Sequence, residues 1–171
     1  MKNKGVMKMT DALKIDIDKI RVEHIGKKLK VHGKATRIGT HYLEFKTAAF
    51  QCMRCGHITK VEQDQDQVLL QEPIGGCEND ICGKKGPFKV LPKESELLNV
   101  QDISILEIPE NPKNGQIIKS LQGRLYGDII CVAQENEIWD FIGELTFSDM
   151  GKKRHEFFLK ITELGDKYSN R

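Results

Sequence analysis

Three features of the 171-residue chain predict a mainly β protein. Short apolar segments alternate with polar residues, helical periodicity is scarce, and two close cysteine pairs interrupt the strand pattern. Five or six such strands, the first bent, fit a small closed barrel of the oligonucleotide-binding (OB) type by size and strand number. The cysteine pairs predict a zinc-binding insertion in that barrel, and a late apolar pair of strands around a basic turn predicts a protruding hairpin.

The chain opens with a polar lead, Met1 to Thr10, expected to be mobile. Asp11 to Ile20 carries Leu13, Ile15, Ile17 and Ile20 at spacings that mix the two periods, so it reads as an extended segment or one helical turn. From Gly26 the pattern sharpens. Leu29, Val31 and Ala35 alternate with Lys28, Lys30, His32 and Lys34, which puts an apolar row on one face and a basic row on the other. Gly33 inside this strand predicts a bulge or a sharp bend. Arg37 to Thr40 reads as a turn into a second strand, His41 to Phe50, running into Cys52.

Cys52-Met-Arg-Cys55-Gly56-His57 and Cys77-Glu-Asn-Asp-Ile-Cys82 form the two pairs. Each pair can fold as a knuckle whose thiolates converge on one metal, and four sulfurs close a tetrahedral shell with no position left for water. Such a zinc site is structural. Gly56 suits the first knuckle because it can take a positive φ. Two disulfides are the competing reading, but five cysteines is an odd number, no secretory signal is present, and the chain is lysine-rich. His57 is an alternative ligand to one cysteine, although four thiolates suffice. Cys131, in Asp128-Ile-Ile-Cys-Val132, reads as a buried core cysteine on an apolar strand.

The return leg is Pro87 to Leu91, followed by a strand within Asn99 to Ile108 and a proline-rich loop from Pro109 to Gly115. Then come Gln116 to Tyr126, a Gly127-Asp128 turn, a strand over Ile129 to Ala133, and Trp139 to Phe147 with Trp139 read as buried. Glu144 to Ser148 and Glu156 to Ile161 make the hairpin around Lys152, Lys153 and Arg154. The domain reading is a flexible lead (1–19), a barrel (20–51 and 88–164), a zinc insertion (52–87) and a tail or linker (165–171).

Charged residues make up 30% of the chain, yet the net charge is only +2, so a polyanion partner must be recognised by local patches. The hairpin tip is one such patch and the Lys28, Lys30, Lys34 row is a second, although a basic strand face is often only solvated. Aromatic platforms are sparse, which favours phosphate contacts over base readout. No apolar run approaches a membrane span, and the expectation is a soluble intracellular protein.

The residues also resemble a known family. His24-Ile-Gly-Lys27, Val31-His-Gly33 with Arg37, and Ala49 to His57 are similar to the amino-terminal region of the minichromosome maintenance (MCM) replicative helicases, especially archaeal ones. Val100 to Glu110 is similar to the family's strand ending in Gln-Glu-Pro, Gly115 to Lys119 to its Gly-Gln-Pro-Arg stretch, and Gly143 to Phe147 with the basic tip to its DNA-binding hairpin. The resemblance covers about Ile20 to Gly165.

It implies a non-catalytic module that binds single- and double-stranded DNA and self-associates as a hexamer or double hexamer, in the cytoplasm or nucleoid of an archaeon. It places the zinc ligands at Cys52, Cys55, Cys77 and Cys82 and DNA contacts at Lys152, Lys153, Arg154, Lys119, Arg37 and Lys46. The loop from Pro109 to Gly115 corresponds to a segment that communicates with an ATPase domain or subunit. Two departures stand out. The family's helical subdomain does not precede the barrel, and no Gly-x-x-x-x-Gly-Lys-[Ser/Thr] phosphate loop is present, so the chain has no P-loop ATPase site. It reads as a fragment of a longer helicase or a stand-alone relative. The rival reading is a zinc-bearing protein-interaction module of a translation or transcription factor.

Overall fold

The structure is a computed structural model that describes residues 12–65, 67, 69–109, 114–149 and 155–169. Eight strands follow in chain order: β1 (Leu13–Lys14), β2 (Lys28–Cys52), β3 (Ile58–Glu62), β4 (Phe88–Val90), β5 (Glu96–Glu107), β6 (Ser120–Tyr126), β7 (Ile138–Asp149) and β8 (His155–Tyr168). Two compact units emerge, one of residues 1–40 and 101–171, the other of residues His41–Val100. Among the described residues no helix is long and apolar enough to cross a membrane.

The first unit is a closed five-stranded barrel. Its strand order β2-β5-β6-β8-β7 returns to β2 through antiparallel pairing of Lys28–Lys34 with Ile138–Glu144. β6 and β8 run parallel, Gln122 opposite Phe158 and Leu125 opposite Ile161. This is the OB order, in which strands one, two, three, five and four close on one another. The alternation in β2 decides which side faces inward: Leu29, Val31 and Ala35 are fully buried against Ile103, Ile105, Phe141, Leu145, Leu159 and Ile161. Burying each large side chain stabilises the barrel by about 1.5–3 kcal/mol.

Gly33 works by close approach. A Cβ there would lie 2.4 Å from Ile105 Cγ2 and 2.9 Å from the Leu106 carbonyl, so only glycine lets the first two barrel strands come this near.

Several expectations are corrected. Residues 37–40 make no turn, because β2 is continuous from Lys28 to Cys52. Of the lead placed at 1–19, residues 1–11 lie outside the described residues and the rest is structured: β1 pairs in parallel with Leu29 and Lys30 of β2, and a 3₁₀ turn at Ile17–Lys19 follows. Ile17 and Ile20 are buried in the barrel core, which explains the mixed spacing of this segment. The tail placed at 165–171 belongs to β8 as far as Tyr168, with Lys167 opposite Trp139 and Tyr168 opposite Ile138.

Ile129 to Ala133 is not a strand. A 3₁₀ turn covers Gly127–Ile129, Cys131 has a φ of 59°, and its N–H donates to the Gln101 side chain rather than to a ladder. Ile129, Ile130 and Ala133 still pack on the core, so the segment is apolar for burial without strand pairing. Cys131 is exposed, not buried, because its positive-φ backbone lies in that loop.

Trp139 is half-buried, and its indole N–H donates to Glu137. The Glu137 carboxylate also accepts from Lys167 Nζ and the Gln134 N–H. Lys167 first, then the indole and backbone N–H groups, lower its pKa from 4.5 to about 2. A depressed carboxylate contributes stability that is full above its unfolded value and is lost as pH falls through the folded one. The expected result is that Glu137→Gln melts below the parent at neutral pH. That gap should close between pH 4.5 and about 2. Melting curves across that range test it; a gap that persists at the acid end would remove Glu137 from the account.

Candidate metal centre and nucleic-acid interface

In the second unit the end of β2 pairs antiparallel with β3 on one side, Phe50 opposite Thr59, and with β4 on the other, Cys52 opposite Phe88. The compact unit that carries the cysteines is therefore wider than the 52–87 stretch, since β2 from His41 and the chain up to Val100 pack within it. β3 lies inside what the sequence presents as a polar loop. Three glutamines shape the chain after it: Gln63 Nε2 donates to the Val61 and Gln71 carbonyls, Gln63 Oε1 accepts from the Gln71 N–H, and Gln65 donates to the Phe45 carbonyl.

The first knuckle closes where the Gly56 N–H donates to the Cys52 carbonyl at 2.8 Å, with Gly56 at a φ of 79°. The second closes on Asn79, whose carbonyl accepts from Cys82 and Gly83 at 2.8 and 2.9 Å. The longer spacing between Cys77 and Cys82 is absorbed by this turn, with Gly76 and Gly83 at positive φ.

The four Sγ atoms of Cys52, Cys55, Cys77 and Cys82 all lie within 4.8 Å of one another. Cys52 to Cys82 is 3.9 Å and Cys55 to Cys77 is 3.5 Å. A tetrahedron of 2.3 Å zinc–sulfur bonds has edges of about 3.8 Å, so this donor set fits a closed four-thiolate shell. His57 is exposed and is not part of the cluster.

Backbone N–H groups of Arg54 and then Cys55 draw the Cys52 thiol down to about 7. The Asn79 N–H favours the Cys77 thiolate too, but burial and the neighbouring thiols, with the charge of Cys52, push it up to about 12. Thiolates this close repel one another unless a cation lies among them. The cluster can hold a metal ion.

The DNA-contact candidates fall on different parts of the chain. Lys152, Lys153 and Arg154 fall outside the described residues, on the connection between Asp149 and His155, the last paired residues of the β7–β8 hairpin. Arg37 is exposed on β2, and Lys119 is exposed just ahead of β6, where its carbonyl accepts from the Glu107 N–H. Lys46 belongs to the second unit and is paired with Glu96 at 2.9 Å, which raises its pKa.

The basic row of β2 is largely committed inside the barrel unit. Lys28 pairs with Glu163 at 2.6 Å and Lys30 with Asp140 at 2.8 Å, while His32 Nδ1 lies 2.9 Å from the other Asp140 oxygen. Tyr168 also donates to Asp140. Burial works against the Asp140 carboxylate, yet the Lys30, His32 and Tyr168 contacts together hold its pKa below the usual range. Sequence reasoning missed this hub. Its only signal was an acidic residue in an apolar strand, and seeing its partners required knowing that His32 lies opposite Asp140.

The barrel has the strand order of the OB fold, with a four-cysteine unit joining its first two strands and a hairpin formed by its last two. Residues 16–148 match the family model of the MCM OB domain. The chain is 31% identical over 127 residues to the DNA replication licensing factor mcm7 of Schizosaccharomyces pombe, covering 72% of this chain and 16% of that protein. It is 25% identical over 126 residues to the minichromosome maintenance protein MCM of Saccharolobus solfataricus, covering 72% and 18%. A 1.8 Å crystal structure of the N-terminal domain of an archaeal MCM superposes with a TM-score of 0.76 at 23% identity, over 91% of this chain and 62% of that one. The chain belongs to the MCM family, and its barrel is that family's OB domain. It spans about a sixth of the length of these curated relatives.

Proposed function

We propose that this chain is the DNA-binding and self-assembling part of an MCM-type replication helicase and is itself non-catalytic. The observation that carries the reading is which barrel strands the two charged or metal-binding devices connect in chain order. The cysteine unit lies between the first and second barrel strands and Lys152, Lys153 and Arg154 between the fourth and fifth, the connections through which OB folds engage oligonucleotides. Zinc is the metal the four thiolates favour, and it serves as a cross-link holding the two knuckles together. Lys119 and Arg37 add cationic groups on the barrel. Lys46, tied to Glu96, contributes only when that exposed pair opens.

Binding is through phosphates, to single and double strands. Assembly into a hexamer or double hexamer, and an ATPase domain or subunit acting with it, complete the proposal. If the three tip cations touch a single strand, log affinity falls against log salt with a slope of about 2, at roughly 0.7 per phosphate. Alanine at Lys152, Lys153 and Arg154 is expected to flatten that slope. An unchanged slope would take the hairpin out of the mechanism, and salt-insensitive association with a protein, without retention on single strands, would favour a protein-interaction module.

A further inference from the structure

The four cluster sulfurs are unevenly shielded. Cys52 and Cys77 are buried and Cys82 is half-buried, while Cys55, in the first knuckle, is exposed. A small oxidant in solution therefore meets the Cys55 sulfur before the others. The sulfur of Cys77, in the second knuckle, lies 3.5 Å from it, so a disulfide bond of about 2.05 Å needs the pair to close by only about 1.5 Å. The other cross-knuckle pair, Cys52 and Cys82, is 3.9 Å apart. A metal in this shell holds its sulfurs as thiolates, the form that attacks a peroxide. An accessible thiolate with a second cysteine poised beside it is the arrangement of a redox-sensing site.

We propose that the cysteine unit is a peroxide-responsive modification site, in which Cys55 is the attacking sulfur and Cys77 the resolving one. The Cys55 thiolate attacks one oxygen of hydrogen peroxide. The O–O bond breaks, an S–O bond forms, and hydroxide leaves. The Cys77 thiolate then attacks the Cys55 sulfur, which expels a second hydroxide and forms the disulfide. The sulfur pair loses two electrons and one peroxide is reduced. Two thiolates remain, too few for a four-sulfur shell, and the zinc is released. The new bond joins residues 22 positions apart and ties the same two knuckles that the metal tied. They stay together until a thiol reductant reopens the disulfide and zinc returns. The inference rests on the zinc reading above and is independent of DNA binding.

The test is a hydrogen peroxide titration of the zinc-loaded 171-residue chain, run on the parent and on Cys131→Ser. A chromogenic chelator reports free zinc, and mass spectrometry locates disulfides. Cys131 is exposed and lies outside the cluster, so its replacement removes a competing thiol without touching a ligand. In both proteins the expected result is release of one zinc per chain, with a first link between Cys55 and Cys77. Dimedone in a parallel sample should trap a sulfenic acid at Cys55, and dithiothreitol with zinc should restore the bound metal. Zinc retained while the parent's Cys131 is oxidised overturns the proposal and leaves the metal site standing. So does a first disulfide within one knuckle, release that requires Cys131, or a loss that reduction does not reverse. A chain that holds no zinc before peroxide is added overturns both readings.

Discussion

Removing the metal is expected to unfold the unit from His41 to Val100 while the barrel unit keeps its strand signal. A structural zinc contributes on the order of 10 kcal/mol or more to the segment it organises. This unit buries few large side chains, chiefly Phe50 and Val100, with the half-buried Phe88 edge-on to Phe50 at 6.5 Å. Without a cation, the Cys77 thiol stays protonated up to about 12, and the sulfurs have no shared partner. Chelator added to the purified chain should release one zinc per chain, expose four fast-reacting thiols beyond Cys131, and remove hydrogen-exchange protection from β3 and β4. Cys82→Ser should reproduce this loss. Retained protection in β3 and β4 after complete metal removal would show that the strands hold themselves.

Gly143→Ala is the second substitution with a large expected effect. Gly143 sits where β7 is paired on both sides, with Leu29 of β2 and Ile161 of β8, next to an irregularity in register at Ile142. A Cβ at this position would lie 1.9 Å from the Lys160 carbonyl oxygen and 2.6 Å from its carbon. That contact is with backbone, so no side-chain rotation relieves it, and β8 must move. The expected cost is about 3 kcal/mol or more, a fall in Tm of about 6–12 °C. Gly39→Ala is the control, since its Cβ would meet Asp102 only at ordinary contact distance, 3.5 Å. Equal melting of the two variants would contradict the close approach of β7 and β8.

What could be read in advance followed from local periodicity and spacing. Leu29, Val31 and Ala35 alternate with charges, so the buried face of β2 was legible, as were the hairpin of β7 and β8 and the pairing of cysteines into one cluster. What could not be read depends on non-local partners. Arg37 to Thr40 looked like a turn because glycine and threonine there carry no sign of the β5 strand beside them, where Gln101 donates to the Gly39 carbonyl. Gly165 to Tyr168 looked like a linker because its polar side chains find Asp140 and Glu137 only after the barrel has closed. Lys28 and Lys30 looked like part of a cationic track for the same reason. Their charges are answered by Glu163 and Asp140, each more than a hundred positions away in sequence.

The closure of the barrel sets an order of events during folding. Lys28 must find Glu144, and β6 must align in parallel with β8, so the last two strands are needed before the first can be satisfied on both edges. Contacts this distant in sequence slow folding, because chain entropy is lost before they form. The cysteine unit is one uninterrupted stretch, from His41 to Val100, with local pairings. It can therefore take up its metal and fold while the strands that will seal the barrel are still being synthesised. In a cell short of the metal, the stretch from His41 to Val100 would then stay unfolded while the barrel strands close on their own, which makes metal supply a determinant of how much fully folded chain accumulates.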